Sequence, residues 1–213
     1  MVQAKTASDD SKVKETENAA SMFWDNFSTT YARMELSNFQ GSATAYTMAG
    51  FERPGARCLE VGCASGTSAL IAASNYLSTE GNPVLVTCDF SKAMIGMCAE
   101  RFARSDFAQA KGNKAVIDSQ SDFTAADAKV DIDKIVKANA GCRKFVYGCV
   151  ASGTGLPFPD AYFNCYVSSL VLQLISDPVK QIHEAYRVLK AGSGRACFTV
   201  WGERDRSLIF TLR

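Results

Sequence analysis

The sequence contains a single histidine, His183, and no two of its eight cysteines form a C-x-x-C pair. Ligand pairs at zinc spacing are therefore missing, which argues against a zinc site. Its apolar runs stop well short of the ~20 residues that a membrane-spanning helix needs. The net charge is only +1, so no strong field recruits nucleic acid or a membrane surface. These absences predict no metal, no membrane span and no nucleic-acid partner.

The cysteines and the N-terminus favour a reducing compartment. The cysteines are scattered and mostly lie in apolar runs, where a free thiol behaves as a small hydrophobic side chain. A disulfide framework is unusual in a chain of this size without a secretory signal. Residues 1–20 lack the apolar core of a signal peptide and carry acids that are untypical of a transit peptide. We therefore expect reduced, buried cysteines in a cytoplasmic protein.

The chain divides into three zones. Residues 1–20 are polar without apolar periodicity, which predicts a disordered tail. Residues 21–52 are rich in aromatics, and their apolar side chains recur at helical spacing. From residue 53 to 213, strand-like and helix-like segments alternate, with strands predicted over 57–61, 84–89, 144–150, 162–174 and 194–202. Continuous apolar strands between helices predict one α/β domain, a doubly wound and mainly parallel sheet with helices on both faces.

The polar stretch over residues 105–143 is longer than an ordinary connection between two elements. Within it, residues 130–141 carry Val130, Ile132, Ile135 and Val136 and are compatible with a short helix. The stretch is therefore expected to be an insertion or a loose loop.

The segment CLEVGCASGTSAL, residues 58–70, ends a predicted strand with Glu60 and continues through Gly62 and Gly66 into a predicted helix. Glycines let the backbone approach a ligand, and the small residues Ala64 and Ser65 keep that approach open. Ligands of open parallel sheets bind beyond the carboxyl ends of the strands. A carboxylate there disfavours a dinucleotide's pyrophosphate and favours a cationic ligand instead.

The motif LEVGCASG resembles the first motif of class I S-adenosylmethionine-dependent methyltransferases, with Ala64 at the place of the middle glycine. Asp89 ends the second predicted strand, as in that family, and the segments LPFPDAYFNCYVSSLVLQLISDP and EAYRVLKAGSGRACFTVWG resemble its later motifs. Four motifs in the family's order are more specific than one. The likeness runs from about Phe27 to Trp201 and is strongest to the branch with quinone and sterol methyltransferases. It implies a Rossmann-like fold, S-adenosylmethionine as cofactor, S-adenosylhomocysteine as product, and a small, apolar or neutral methyl acceptor.

The resemblance also implies a set of cofactor-binding residues. Glu60 would favour the cationic amino-acid head, directly or through water, and Asp89 would accept both ribose hydroxyls. Phe90 and Met94 would pack against adenine, although Met94 also fits a core position and Asp89 fits a loop carboxylate. Residues 21–52 would form helices that close over the cofactor. The complete predicted set is Glu60, Gly62, Cys63, Ala64, Gly66, Asp89, Phe90, Met94, Ser152, Gly153, Ser168 and Tyr31.

Ser152 marks a departure from that pattern. Many relatives carry an acid before LPF that binds the adenine amino group, whereas this sequence reads SGTGLPF. Serine accepts a hydrogen bond without charge assistance, so we expect weaker cofactor binding. Ser168, Ser169 and Gln173 are candidates near the methyl group, with strand positions as the alternative for both serines. No catalytic residue is assigned, because positioning and a dry site can suffice for methyl transfer.

Only twelve residues follow Trp201, whereas the family continues with two further strands. We therefore expect either that the sequence is a fragment or that the fold lacks the C-terminal edge hairpin. Two function classes stay open: an active methyltransferase, or an inactive or truncated protein of that fold acting as a scaffold. A nicotinamide dehydrogenase is disfavoured by Glu60 and by the lack of a Tyr-x-x-x-Lys pair.

Overall fold

The computed structural model describes residues 7–34, 39–125 and 127–203. The helices are α1 (Ala7–Met34), α2 (Phe39–Ala49), α3 (Thr67–Ile71), α4 (Lys92–Ala103), α5 (Asp106–Gln109), α6 (Ile132–Lys137) and α7 (Pro178–Val188). A π-helical segment, Ala72–Tyr76, continues α3. The strands are β1 (Arg57–Val61), β2 (Val84–Asp89), β3 (Asn113–Asp122), β4 (Lys144–Val150), β5 (Cys165–Ser169) and β6 (Arg195–Thr199).

The described strands form one six-stranded sheet in the order β3-β4-β2-β1-β5-β6, with every neighbouring pair parallel. The strand order reverses at β1, which pairs with β2 on one side and with β5 on the other; Cys58 of β1 lies opposite Cys165 of β5. The carboxyl ends of these three strands therefore frame the crevice in which ligands of such sheets bind. The predicted doubly wound α/β fold is confirmed.

Apolar side chains cover both faces of the sheet. Adjacent residues of one strand belong to different buried clusters, as Leu85 and Val86 of β2 show. Successive side chains of a strand point to opposite faces, so burial on both faces explains the continuous apolar runs of β1, β2 and β4. All eight cysteines are free, and all but Cys142 and Cys197 are buried, in agreement with their positions in apolar runs.

The stretch over 105–143 contains a strand that the sequence analysis did not predict. β3 pairs with β4 at the edge of the sheet, where only one side of a strand needs to be apolar. Ala115 and Ile117 pack against the core, whereas Lys114 and Val116 are exposed. The expectation of a loose loop is therefore wrong for β3, because its period-2 pattern is short and diluted by polar residues. The short helix expected over 130–141 is confirmed by α6.

The predicted disordered tail also needs correction. Residues 1–6 lie outside the described residues, but from Ala7 onward the tail is the beginning of α1. Its alanines, lysines and glutamates are good helix formers, so the helix does not require an apolar stripe there. Residues 204–213, which follow β6, lie outside the described residues. No helix in the described ranges is both long enough and apolar enough to cross a membrane.

Candidate functional site

The glycine turn, residues 62–66, follows β1 and has three residues with left-handed backbone: Gly62 (φ 79°), Ala64 (φ 47°) and Gly66 (φ 82°). Glycine is required at positions 62 and 66 by the backbone angle and also by the lack of room for a side chain. A Cβ on Gly62 would lie 2.2 Å from Cγ2 of Val171, and one on Gly66 would lie 2.4 Å from Sγ of Cys98. Ala64 adopts its angle at a cost of about 1 kcal/mol. The turn is thus strained and depends on its surroundings.

Asp89 at the end of β2 is the nearest support of this turn. Its Oδ2 accepts a hydrogen bond from the backbone N–H of Ala64 at 2.9 Å, and its Oδ1 accepts one from the backbone N–H of Ser91 at 2.9 Å. One carboxylate therefore joins the turn after β1 to the start of α4. Asp89 also lines the cavity at this edge of the sheet.

The cavity encloses about 1020 Å³, including space open to solvent. One part of its lining is polar and another part is apolar. Polar groups come from Asp89, Ser152 and Thr154, whereas the segment after β5 contributes apolar side chains. The lining residues are Ala20, Trp24, Tyr31, Val61, Gly62, Ala64, Asp89, Phe90, Met94, Ala151, Ser152, Gly153, Thr154, Ser169, Leu170, Val171, Leu174, Ile175 and Ser176.

Helix α1 contributes Ala20, Trp24 and Tyr31 to that lining. Hydrogen bonds to the start of α4 fix its position. Oδ1 of Asp25 accepts the hydroxyl of Ser91 and the backbone N–H of Ala93, the latter at 3.1 Å. The rings of Trp24 and Tyr31 meet edge to face with centroids 5.5 Å apart. The prediction that helices of residues 21–52 close over the cofactor agrees with this placement of α1 only, because no residue of α2 lines the cavity and Tyr46 of α2 is buried in the core.

Glu60 lies behind the glycine turn and does not line the cavity. Its side chain is 2% exposed and accepts hydrogen bonds from the hydroxyls of Tyr46 (2.6 Å), Ser68 (2.7 Å) and Thr87 (3.3 Å). Burial, and then the neighbouring Glu60 carboxylate, raise the pKa of Tyr46 well above its ordinary value. The structure therefore places the predicted cofactor residue Glu60 outside the cavity lining, hydrogen-bonded to three hydroxyls.

Three more of the predicted cofactor-binding residues lie outside the cavity lining, namely Cys63, Gly66 and Ser168. The hydrogen bond with Cys98, followed by burial, raises the pKa of the Cys63 thiol, so this thiol is a buried neutral group. Ser168 is fully buried, donates its hydroxyl to the carbonyl oxygen of Val61 at 3.1 Å and accepts from Nε2 of Gln181 at 2.9 Å. It therefore joins β5 to β1 instead of facing a ligand.

The four residues predicted for the adenine site line the cavity, namely Ser152, Gly153, Phe90 and Met94. The Ser152 hydroxyl lies 2.9 Å from the Thr154 hydroxyl and accepts the Thr154 backbone N–H at 3.3 Å. The polar group that replaces the acid of many relatives is thus engaged within its own turn.

Of the residues considered near the methyl group, only Ser169 lines the cavity. Its hydroxyl accepts from Ser42 at 2.9 Å and lies 2.6 Å from the hydroxyl of Thr199. Gln173 is exposed and donates to the carbonyl oxygen of Leu170. His183 is exposed on α7, away from the cavity lining.

The sequence analysis missed Trp24 and the apolar residues after β5. Leu170 has a left-handed backbone (φ 59°) that ends β5, so Val171, Leu174 and Ile175 line the cavity instead of extending a strand. The signal for Trp24 was its spacing of seven residues from Tyr31, which places both on one helix face. Among the described residues, no group of three or more His, Cys, Asp or Glu side chains is placed to hold a metal ion.

Comparisons with known proteins agree with this architecture. Residues 114–197 match a family model described as a methyltransferase domain; the match begins in β3 and excludes the glycine turn and Asp89. The chain is similar to a ubiquinone/menaquinone biosynthesis C-methyltransferase of Pectobacterium carotovorum, 35% identical over 72 residues, which are 34% of this chain and 28% of the relative. It is also similar to the chloroplastic 2-methyl-6-phytyl-1,4-hydroquinone methyltransferase of Arabidopsis thaliana, 43% identical over 63 residues, 27% of this chain and 18% of the relative. The matched part thus spans less than a third of these relatives.

Solved structures show the same fold. One is the complex between the Haloferax volcanii Trm112 methyltransferase activator and a methyltransferase, with a TM-score of 0.56 at 16% identity over 88% of this chain and 64% of that chain. Another is phosphoethanolamine N-methyltransferase 2 of Haemonchus contortus, with a TM-score of 0.50 at 22% identity over 77% of this chain and 28% of that chain. The fold that the motif resemblance implied is confirmed, and the match of residues 114–197 to a methyltransferase family model agrees with that resemblance.

Proposed function

We propose that this chain, which has the class I methyltransferase fold, binds S-adenosylmethionine and transfers its methyl group to a small, apolar or neutral acceptor in the cytoplasm. The observation that carries the proposal is the convergence of Asp89, the glycine turn and α1 on one cavity. No feature of the described residues favours the alternative of an inactive scaffold over an enzyme.

The groups that line the cavity fit the cofactor. A carboxylate binds a ribose diol well, because hydrogen bonds to a charged acceptor are strong, and Asp89 is the carboxylate in the lining. Phe90 and Met94 offer apolar surface to adenine. Gly62 and Ala64 expose backbone to the amino-acid head, with the Glu60 carboxylate behind them. When bound, the cofactor supplies an electrophilic methyl group on a sulfonium.

The acceptor end of the cavity supports a small molecule of low polarity. Leu170, Val171, Leu174 and Ile175 line it, and apolar walls favour apolar acceptors. Tyr31 and Asp89 are the ionisable side chains in the lining, and Asp89 is committed to the ribose. The chain's residues would therefore bind, orient and exclude water, and Ser169 would hydrogen-bond a polar group of the acceptor. The names of the two curated relatives, both methyltransferases of quinone-type compounds, agree with such an acceptor.

Isothermal titration calorimetry tests the proposal directly. We expect binding heat and a thermal shift with S-adenosylmethionine and S-adenosylhomocysteine, and neither with a nicotinamide dinucleotide. Absence of both signals with the two methyl-cofactor forms, for a protein shown to be folded by circular dichroism, would refute it.

A further inference from the structure

Arg101 of α4 donates two hydrogen bonds to the glycine turn and does not line the cavity. Its Nε donates to the backbone carbonyl oxygen of Ser65 at 2.9 Å, and its Nη2 donates to the Ser65 hydroxyl at 2.7 Å. Ser65 is fully buried. Both contacts thus hold one residue in the middle of the turn with the planar, two-pronged geometry that arginine provides and lysine does not.

The same face of α4 makes the other contacts to this region. Met94 lines the cavity, and Cys98 closes on Gly66, where an added Cβ would lie 2.4 Å from Sγ. Met94, Cys98 and Arg101 are spaced four and three residues apart, which places them on one side of the helix. Helix α4 therefore runs along the turn, and Arg101 is the last of these three residues along the helix.

The turn needs such support, because left-handed residues persist only where surrounding contacts hold them. Asp89 holds the turn at the backbone N–H of Ala64, and Arg101 holds it one residue later. Asp89 itself lines the cavity, whereas Arg101 does not. The effect of Arg101 on a ligand therefore passes through the position of the turn.

We propose that Arg101 is a positioning residue for the amino-acid end of the cofactor. The inference rests on the proposed function, since it requires that this end lies over the glycine turn. By fixing Ser65, the guanidinium sets the path of the backbone from Ala64 to the start of α3. The nucleoside end, held by Asp89 and Phe90, does not depend on it.

The test compares two ligands that differ in that end. S-adenosylhomocysteine carries the amino-acid part and adenosine lacks it. By calorimetry, Arg101→Met is expected to raise the Kd of S-adenosylhomocysteine by about tenfold or more, and to leave the Kd of adenosine within about twofold. Arg101→Lys keeps the charge and can reach one Ser65 acceptor. Its Kd for S-adenosylhomocysteine is therefore expected to lie between those of the wild type and Arg101→Met. Arg104→Met is the matched control, because Arg104 is the C-cap residue of the same helix and makes an exposed ion pair with Glu100 at 3.7 Å.

The outcomes are distinct. Equal weakening of both ligands would show a general loss of structure and would overturn the inference, as would an unchanged Kd for S-adenosylhomocysteine. If Arg101→Met does not fold, the two-ligand comparison for Arg101→Lys decides in the same way. A wild-type protein that binds neither ligand refutes the proposed function itself, and the inference with it.

Discussion

Substitution of Asp89 by Asn tests both roles of this carboxylate, ligand binding and support of the turn. The change keeps the size of the side chain, removes its charge and replaces one acceptor oxygen by a donor. Two backbone N–H groups, of Ala64 and Ser91, lose their charged acceptor, so the free energy of unfolding should fall by about 1–2 kcal/mol.

The effect on binding should be larger. A hydrogen bond to a charged group is worth about 1.5–3 kcal/mol, so loss of the ribose contacts should raise the Kd of S-adenosylhomocysteine about 10- to 100-fold. Calorimetry with adenosine and 2′-deoxyadenosine isolates the interaction. The wild type should prefer adenosine, and the Asp89→Asn variant should lose that preference.

Asp118→Asn provides the matched control. Asp118 also lies in a strand and accepts two backbone N–H groups, those of Gln120 at 3.0 Å and Ser121 at 2.9 Å, but it does not line the cavity. It should lower thermal stability and leave the Kd unchanged. If both variants leave the Kd unchanged, or if Asp89→Asn still discriminates the two nucleosides, Asp89 is only a structural carboxylate and the assignment of the ribose site is wrong.

Three further changes probe other parts of the molecule. Ser152→Asp should tighten S-adenosylmethionine binding by about 1 kcal/mol, with no gain for an analogue that lacks the adenine amino group; weaker binding would contradict the adenine assignment. Gly62→Ala should abolish cofactor binding measured by calorimetry, since its Cβ would lie 2.2 Å from Val171; unchanged binding would show that the turn can shift freely. Although burial opposes it, hydrogen bonding to Arg187 lowers the pKa of Glu184, so Glu184→Gln should lower the thermal midpoint at neutral pH. That deficit should vanish as the pH falls below the lowered pKa, because the stabilisation exists only while Glu184 is charged; a deficit independent of pH would refute the reasoning.

The sequence predicted every described strand except β3, which lies at one edge of the sheet. β1, β2 and β4 are buried on both faces, so their apolar runs reveal them, whereas β3 at the edge reveals only the alternation around Ala115 and Ile117. For the site, the motif predicted the cavity residues Gly62 and Asp89, because backbone angle and register at a strand end are local properties.

Other site features depend on long-range packing and could not be predicted locally. Whether Glu60 faces the cavity depends on Tyr46 of α2, which no pattern around Glu60 reveals. The apolar wall after β5 was read as strand, since a left-handed Leu170 is not visible in an apolar run. Trp24 reaches the cavity because long-range contacts hold α1 against the start of α4, among them that of Asp25 with Ala93.

The pairing of β1 with both β2 and β5 has a consequence for the order of folding. The glycine turn and Asp89 lie within about 30 residues of each other, so loop closure between β1 and β2 is fast. Cys58 and Cys165, which face each other across β1 and β5, are roughly 100 residues apart, and non-local parallel pairing is slow. The part of the cavity formed by the glycine turn and Asp89 can therefore assemble before the part formed by the apolar segment after β5, which stays exposed until β5 pairs with β1.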